Sequence, residues 1–219
     1  MLREILEQLF EFAAKDIPSD QILEAKKAYQ KETGEIYEDD NSYNSRMALF
    51  LEWYLLDNYI MDKSQTPLEI ILNEYSIFLP AKRIENYKYF TKSIQGLFIA
   101  KKIKKETVKV INLFTDETYL VQEKDSRLFF RKNDIFQGRL VFFQDQYQFT
   151  GNFCFHPENS HEYVKQEVKL INKAQSVYRK ELVKIKCNLL KSKNKLKKKE
   201  TEISKINNKM NNGFSENKI

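Results

Sequence analysis

The stretch that decides the fold is residues 94–114, IQGLFIAKKIKKETVKVINLF, because the spacing of apolar residues changes there. Before this stretch, apolar residues recur at the three- and four-residue spacing of helices. From residue 97 onward they alternate with polar residues and are rich in β-branched and aromatic types, which is typical of strands that bury one face. The sequence therefore predicts a helical part up to residue 94 and a β-rich part after it.

The helical part is expected to contain five helices, because five stretches show helical spacing or helix-start signals. The predicted helices are 2–15, about 20–33, 43–61, one that opens at Thr66, and 81–94. The centre of the third is apolar nearly all round, so it should be buried. Thr66, Pro67 and Glu69 have the order of a capping box with proline at the first helical position.

Five short strands are predicted after residue 95, near 96–103, 107–113, 117–122, 137–144 and 147–155. Five strands within about 60 residues are typical of a small antiparallel sheet or barrel of SH3-like or OB-like size. The predicted fold class is therefore α+β.

The last part of the sequence predicts one long helix, with no Pro or Gly between Ser160 and Gly213. Its apolar residues recur in alternating steps of four and three, which is the heptad pattern of a coiled coil. The seam residues are Val164, Val168, Ile171, Tyr178, Leu182, Ile185, Leu189, Leu196, Ile203 and Ile206. Gln175, Ser192 and Lys199 interrupt this seam. An apolar seam left in water is unfavourable, so the helix is expected to self-associate or to pack along another helix.

These patterns predict four segments. We expect a helical domain over 1–94, a small β-domain over 95–157, a long basic coiled-coil helix over 158–210 and a disordered tail over 211–219.

Charge is distributed unevenly along the chain. The net charge is +6, but residues 161–219 carry 16 Lys/Arg against 6 Asp/Glu, so that segment is +10 and residues 1–160 are −4. Six lysines lie within nine residues: Lys191, Lys193, Lys195, Lys197, Lys198 and Lys199. A basic tail indicates an acidic partner, such as nucleic acid, an anionic membrane or an acidic protein face, although these lysines also fit the solvated surface of a coiled coil.

No residue pattern predicts a catalytic site, a metal site or a cofactor. Cys154, His156 and His161 resemble a set of zinc ligands, with Cys187 as a fourth, but their spacing matches no strong zinc motif. Glu52 and Asp57 lie five residues apart on one helix and point in different directions, so they are expected to be caps or partners of buried arginines. Nucleotide-binding and hydrolase motifs are absent from the sequence.

Aromatic residues crowd the β-rich part of the sequence, next to several lysines and arginines. They could form a stacking platform for single-stranded nucleic acid, but a small barrel also needs aromatic rings for its core. The core interpretation is favoured, because adjacent pairs such as Phe142 and Phe143 point to opposite faces of a strand.

The chain is expected to be cytoplasmic and to contain no membrane span. Two scattered cysteines fit a reducing compartment, and the first ten residues carry acidic side chains that a secretory signal would lack. The longest apolar stretch, 47–61, is too short to span a bilayer and contains Glu52 and Asp57.

Residues 46–57, RMALFLEWYLLD, followed by Thr66-Pro67-Leu68, resemble the N-terminal region of a group of uncharacterised bacterial proteins. These proteins share an F-x-E-W-Y-x-x-D helix followed by a β-rich region, and the resemblance covers roughly residues 35–156. The group has no established activity, so the resemblance implies a fold but no functional residue.

The seam and the charge layout favour a non-enzymatic binding or scaffold protein that oligomerises or docks through its basic coiled-coil helix. The alternative is a nucleic-acid or ribosome-associated factor that binds RNA or DNA through the lysine-rich tail, which salt-dependent binding would reveal. An enzyme of unknown type is the third hypothesis, and it would require a deep polar pocket with converging ionisable groups.

Overall fold

The computed structural model describes residues 1–60, 64–124 and 126–213, and it describes side chains at these positions except at 194, 202 and 205–213. The chain divides into two units, Met1–Lys165 and Gln166–Ile219. The first contains helices and a sheet, and the second continues the C-terminal helix. The predicted α+β architecture of a helical N-terminal part, a small β-structure and a long C-terminal helix is confirmed.

Five α-helices precede the sheet in the described part of the chain. They are α1 Leu2–Asp16, α2 Ser19–Thr33, α3 Tyr43–Leu56, α4 Pro67–Glu74 and α5 Ala81–Lys88. Helix α3 ends at Leu56 rather than near residue 61, and Asp57, the residue after it, contacts a buried arginine. The predicted capping box of α4 is present, with Thr66 and Glu69 bonded reciprocally. Two short 3₁₀ turns, Ser76–Phe78 and Tyr89–Lys92, connect α4, α5 and the sheet.

The helices pack around a core that they share with the sheet. Helix α1 contributes Leu6 and Leu9, which are buried, and α3 contributes Phe50. Val141 and Phe143 from the sheet belong to the same cluster. The helical part and the β-rich part are therefore in direct contact within the first unit, and their division into separate domains stays a prediction.

The β-rich part forms a closed five-stranded barrel with one additional short strand. The strands are β1 Ile94–Ile103, β2 Thr107–Asn112, β3 Thr118–Gln122, β4 Ile135–Phe143, β5 Gln146–Phe149 and β6 Cys154–His156. Their order is β1-β2-β3-β5-β4, and pairing of β1 with β4 closes the ring. Strand β6 adds to β4 beside the barrel. The short helix α6, Ser126–Phe129, connects β3 to β4.

The barrel is not fully antiparallel, in contrast to the prediction, because β3 pairs with β5 in parallel. The reason is topological: five strands cannot alternate in direction around a closed ring, so one neighbouring pair must run the same way. This strand order, with a short helix between β3 and β4, corresponds in topology to the OB-fold, a five-stranded Greek-key barrel.

The fifth predicted strand, 147–155, is two strands in the structure. Gly151 breaks it with a φ of 102°, a conformation that side-chain-bearing residues rarely adopt. A side chain at this position would also collide with the guanidinium group of Arg3. The turn at Gly151 directs β6 to the other end of β4, where it pairs with residues 135–137.

The C-terminal helix α7 runs over 53 residues, His161–Gly213. It begins after a 3₁₀ turn at Glu158–Ser160 and continues through 211–213, which the sequence analysis placed in a disordered tail. The rest of that predicted tail, 214–219, lies outside the described residues.

Candidate functional site

A buried ion cluster joins helix α3 to the barrel. Arg139 lies on β4 with only 1% of its surface exposed, and Glu52 on α3 is equally buried. The Nε of Arg139 donates to Glu52 Oε2 at 3.2 Å, and its two terminal nitrogens donate to the carboxylate of Asp57. One arginine therefore holds two carboxylates that lie five residues apart in the sequence.

Two neutral side chains complete this cluster. Ser93, just before β1, accepts a hydrogen bond from Arg139 Nη1 at 2.9 Å. Asn152, between β5 and β6, donates to Glu52 Oε1 at 2.8 Å. Both oxygens of Glu52 therefore have partners, as buried charges require.

Burial raises the pKa of the Glu52 carboxyl, and this effect outweighs the opposing effects of Arg139 and Asn152. Arg139 lowers the pKa of Glu52 but does not reverse its direction, and the same guanidinium also makes a bidentate contact with Asp57. Perturbed carboxyl groups also occur in active sites. Here, however, the partners of Glu52 occupy both of its oxygens and connect α3 to the sheet, which indicates a structural role.

The two carboxylates were expected to be caps or partners of buried arginines, and the structure shows both bonded to Arg139, which the sequence did not single out. The sequence did contain a signal for Arg139, because it is the one charged residue in the otherwise apolar run GRLVFF of β4. Its neighbours Leu140 and Val141 are fully buried. A cation in a buried strand requires acidic partners.

The four residues considered as zinc ligands are not brought together as a metal site in the described structure. His161 Nε2 bonds the backbone oxygen of His156 at 2.9 Å. Cys154 and Cys187 are exposed free thiols. Within the described ranges, no group of three or more His, Cys, Asp or Glu side chains is arranged to hold a metal ion. Burial and the neighbouring His161 lower the pKa of His156.

The coiled-coil seam is largely exposed in the single chain. From Ile171 to Ile203, the apolar seam side chains are between 38% (Leu182) and 65% (Tyr178) exposed. At the start of the helix, Val164 is half-buried and Val168 is buried. The side chain of Ile206 lies outside the described residues.

The lysine tract is exposed throughout. Lys191, Lys193, Lys195, Lys197, Lys198 and Lys199 all present their side chains to solvent. They share the helix with the seam, so a positive surface and an apolar surface occur on the same element.

Most aromatic residues of the β-rich part belong to the barrel core, as expected. Phe98, Phe136 and Phe149 are fully or almost fully buried and pack on one another. Four phenylalanines depart from this pattern, because Phe114, Phe129, Phe142 and Phe155 are 37%, 43%, 50% and 40% exposed.

In the part of the chain that the structure describes, no helix has the length and apolar character needed to cross a bilayer. One protein-family model matches residues 1–191, and it is described as a family of unknown function (DUF7986). That range contains residues 35–156, which resemble a group of uncharacterised bacterial proteins. Neither the curated proteins nor the solved structures contain a significant match.

Proposed function

We propose for this chain, which belongs to the DUF7986 family of unknown function, the role of a non-enzymatic binding or scaffold protein that self-associates through α7. The observation that supports this proposal is the exposed seam of that helix. In a single chain, seven apolar side chains from Ile171 to Ile203 face water. Burying each contributes roughly 1.5–3 kcal/mol, so a partner helix would be strongly favoured.

The charges beside the seam favour a second copy of the same chain as the partner. In a parallel arrangement, Glu181 at position g faces the partner's Lys186 at position e, and Lys195 faces the partner's Glu200. The remaining g–e pairs of the heptads that start at 168–196 combine a charged residue with a neutral one, so no pair repels. In an antiparallel arrangement, e positions face e positions, and three of these are Arg179, Lys186 and Lys193.

The seam residues also bear on the number of helices. Leucine at a with isoleucine at d, as in Leu182 and Ile185, shifts the preference from two strands towards three or four. Ser192 and Lys199 weaken the second half of the seam. The assembly is therefore expected to be held mainly by residues 171–189 and to have more than two chains.

Analytical ultracentrifugation of the full-length protein tests this proposal, with two neighbouring leucines as a matched pair. Leu189 lies in the seam and Leu190 lies outside it, and their exposures are nearly equal at 58% and 64%. Leu189→Lys should weaken association by at least about tenfold, since it removes the burial of one leucine from each chain. Leu190→Lys should leave association unchanged. A monomeric wild-type protein would contradict self-association, and equal effects of the two changes would contradict association through the assigned seam.

A second candidate function is nucleic-acid binding through the lysine tract. The observation that favours it is the exposure of all six lysines on one segment of α7. A parallel assembly would bring several copies of this tract together and raise the local positive charge. A reducing, cytoplasmic location is part of both proposals and is based on the two free cysteines.

A further inference from the structure

Three phenylalanine rings form a row on the surface of the barrel. The ring of Phe129 on α6 lies 6.4 Å from that of Phe153, which lies 5.8 Å from that of Phe155 on β6. Phe129 and Phe155, at the two ends of this phenylalanine row, are 43% and 40% exposed, and Phe153 is half-buried. The guanidinium of Arg3 lies 6.0 Å from the centre of the Phe129 ring.

The row is held in place by buried neighbours. Phe155 pairs with Phe136 across β6 and β4, and Phe136 is fully buried in the barrel core. Phe130, next to Phe129, is also buried and packs at 5.2 Å from Phe153. The exposed rings are therefore fixed on a rigid base, so little conformational entropy would be lost when a ligand covers them.

Positive side chains surround α6, which carries one end of the row. Arg127, Arg131 and Lys132 are exposed on α6 and on the segment that follows it. The backbone amide of Asn133 donates to Ala100 O at 2.7 Å, and the amide of Ala100 donates to Asp134 O at 2.9 Å. These bonds hold the segment against β1.

The β1–β2 hairpin carries four more lysines, and together with Arg127, Arg131 and Lys132 they are called the basic rim. Lys101, Lys102, Lys104 and Lys105 follow Ala100 directly, and the Ser126 hydroxyl donates to the backbone oxygen of Lys104. Among the described acidic residues of these segments, Asp134 accepts from the Arg131 amide at 2.6 Å, and Glu123 pairs with Arg3 at 3.0 Å. Glu106 is exposed at the hairpin turn. Residues 101–106 and 123–134 together carry eight Lys/Arg against four Asp/Glu, so the two segments beside the phenylalanine row have a net positive charge.

We propose that this face of the barrel binds single-stranded nucleic acid, independently of α7. Exposed phenylalanine rings stack on bases without selecting a sequence, and lysine and arginine side chains hold the phosphates. An acidic peptide would use the charges but would leave the fixed rings without a flat partner. The combination of a ring row with a basic rim therefore favours a single strand of RNA or DNA.

The test is fluorescence anisotropy with a labelled oligouridylate of about 12 nucleotides, a length within the range that one barrel covers. Full-length protein in which the six tract lysines are changed to glutamine is the background, so that binding by the tail does not mask the barrel. Phe129→Ala and Phe155→Ala should each weaken binding by about tenfold, because each removes one stacking ring. Phe142→Ala is the matched control, since Phe142 is 50% exposed but lies outside the row, and it should change affinity little.

A second pair of changes avoids the core and covers the case in which the ring variants do not fold. Arg131→Gln with Lys132→Gln should flatten the logarithmic salt dependence of binding by about 1.4, for two lost phosphate contacts. Absence of binding at about 50 mM salt would overturn the proposal. It would also be overturned by folded ring variants that bind like the background protein. Binding to phosphatidylserine vesicles without binding to the oligonucleotide would assign the face to membranes instead.

Discussion

Arg139 is the residue whose replacement is expected to cost the most stability in the buried cluster. Changing it to methionine keeps a long side chain but leaves Glu52 and Asp57 without their cation. Removing one partner of a buried ion pair typically costs about 3–5 kcal/mol, because the remaining charge stays out of water. Urea denaturation of the wild type and the Arg139→Met variant measures this loss. A loss below about 1 kcal/mol would place the cluster with weak surface ion pairs.

The pH dependence of that loss identifies Glu52 as its source. Burial raises the pKa of Glu52, and without Arg139 nothing of opposite charge offsets the effect. A carboxyl whose pKa is raised by folding contributes stability below its unfolded pKa, and this contribution is lost as pH rises through the folded pKa. The Arg139→Met variant should therefore lose less stability at about pH 5 than at about pH 7. Adding Glu52→Gln should recover part of the loss and reduce its pH dependence.

At the scale of a single element, the capping box of α4 makes a measurable contribution to the free energy of unfolding. Thr66 is 5% exposed, its hydroxyl accepts from the Glu69 amide at 3.3 Å, and the Glu69 carboxylate accepts from the Thr66 amide at 2.8 Å. Thr66→Ala should lower the free energy of unfolding by about 1 kcal/mol, because an orphan amide loses its partner.

Thr33 provides the matched control for this change. Its hydroxyl donates to the backbone oxygen of Tyr29 at 2.9 Å near the end of α2, and such bonds do not stabilise helices. Thr33→Ala should therefore be close to neutral in the same denaturation experiment. Equal losses at the two positions would mean that α4 does not depend on its cap.

At the scale of the whole molecule, the separation of charge predicts how the protein responds to salt. Residues 161–219 carry +10 and residues 1–160 carry −4. If the lysine tract binds nucleic acid, affinity should fall steeply between about 50 and 200 mM salt through release of counterions. Changing the six tract lysines to glutamine should flatten this dependence in an anisotropy titration.

A second group of six lysines on the same helix controls for net charge. These are Lys165, Lys169, Lys173, Lys180, Lys184 and Lys186. Changing them to glutamine removes the same charge and also one proposed g–e pair, just as the tract changes do. If the salt dependence of affinity falls equally in both variants, the total charge of the helix rather than the lysine tract controls binding. If the wild-type protein does not bind at low salt, this candidate function fails.

Local sequence patterns were sufficient for most elements, because helical spacing and strand alternation depend on residues that are close in the chain. The capping box, the long C-terminal helix and the change of structure near residue 94 were all predictable in this way. Two errors in the element bounds lie at Asp57, whose carboxylate accepts from Arg139, and at Gly151, whose φ is 102°.

The sequence alone predicted the order of the helical part, the β-rich part and the long C-terminal helix. It also pointed to the two carboxylates of the F-x-E-W-Y-x-x-D segment. Only the tertiary structure showed that both meet Arg139, across separations of 87 and 82 residues. It also showed that β3 and β5 lie parallel and that Phe129 and Phe155 remain at the surface while similar rings are buried. These features depend on which strands and helices become neighbours in space, and the local spacing of residues does not carry that information.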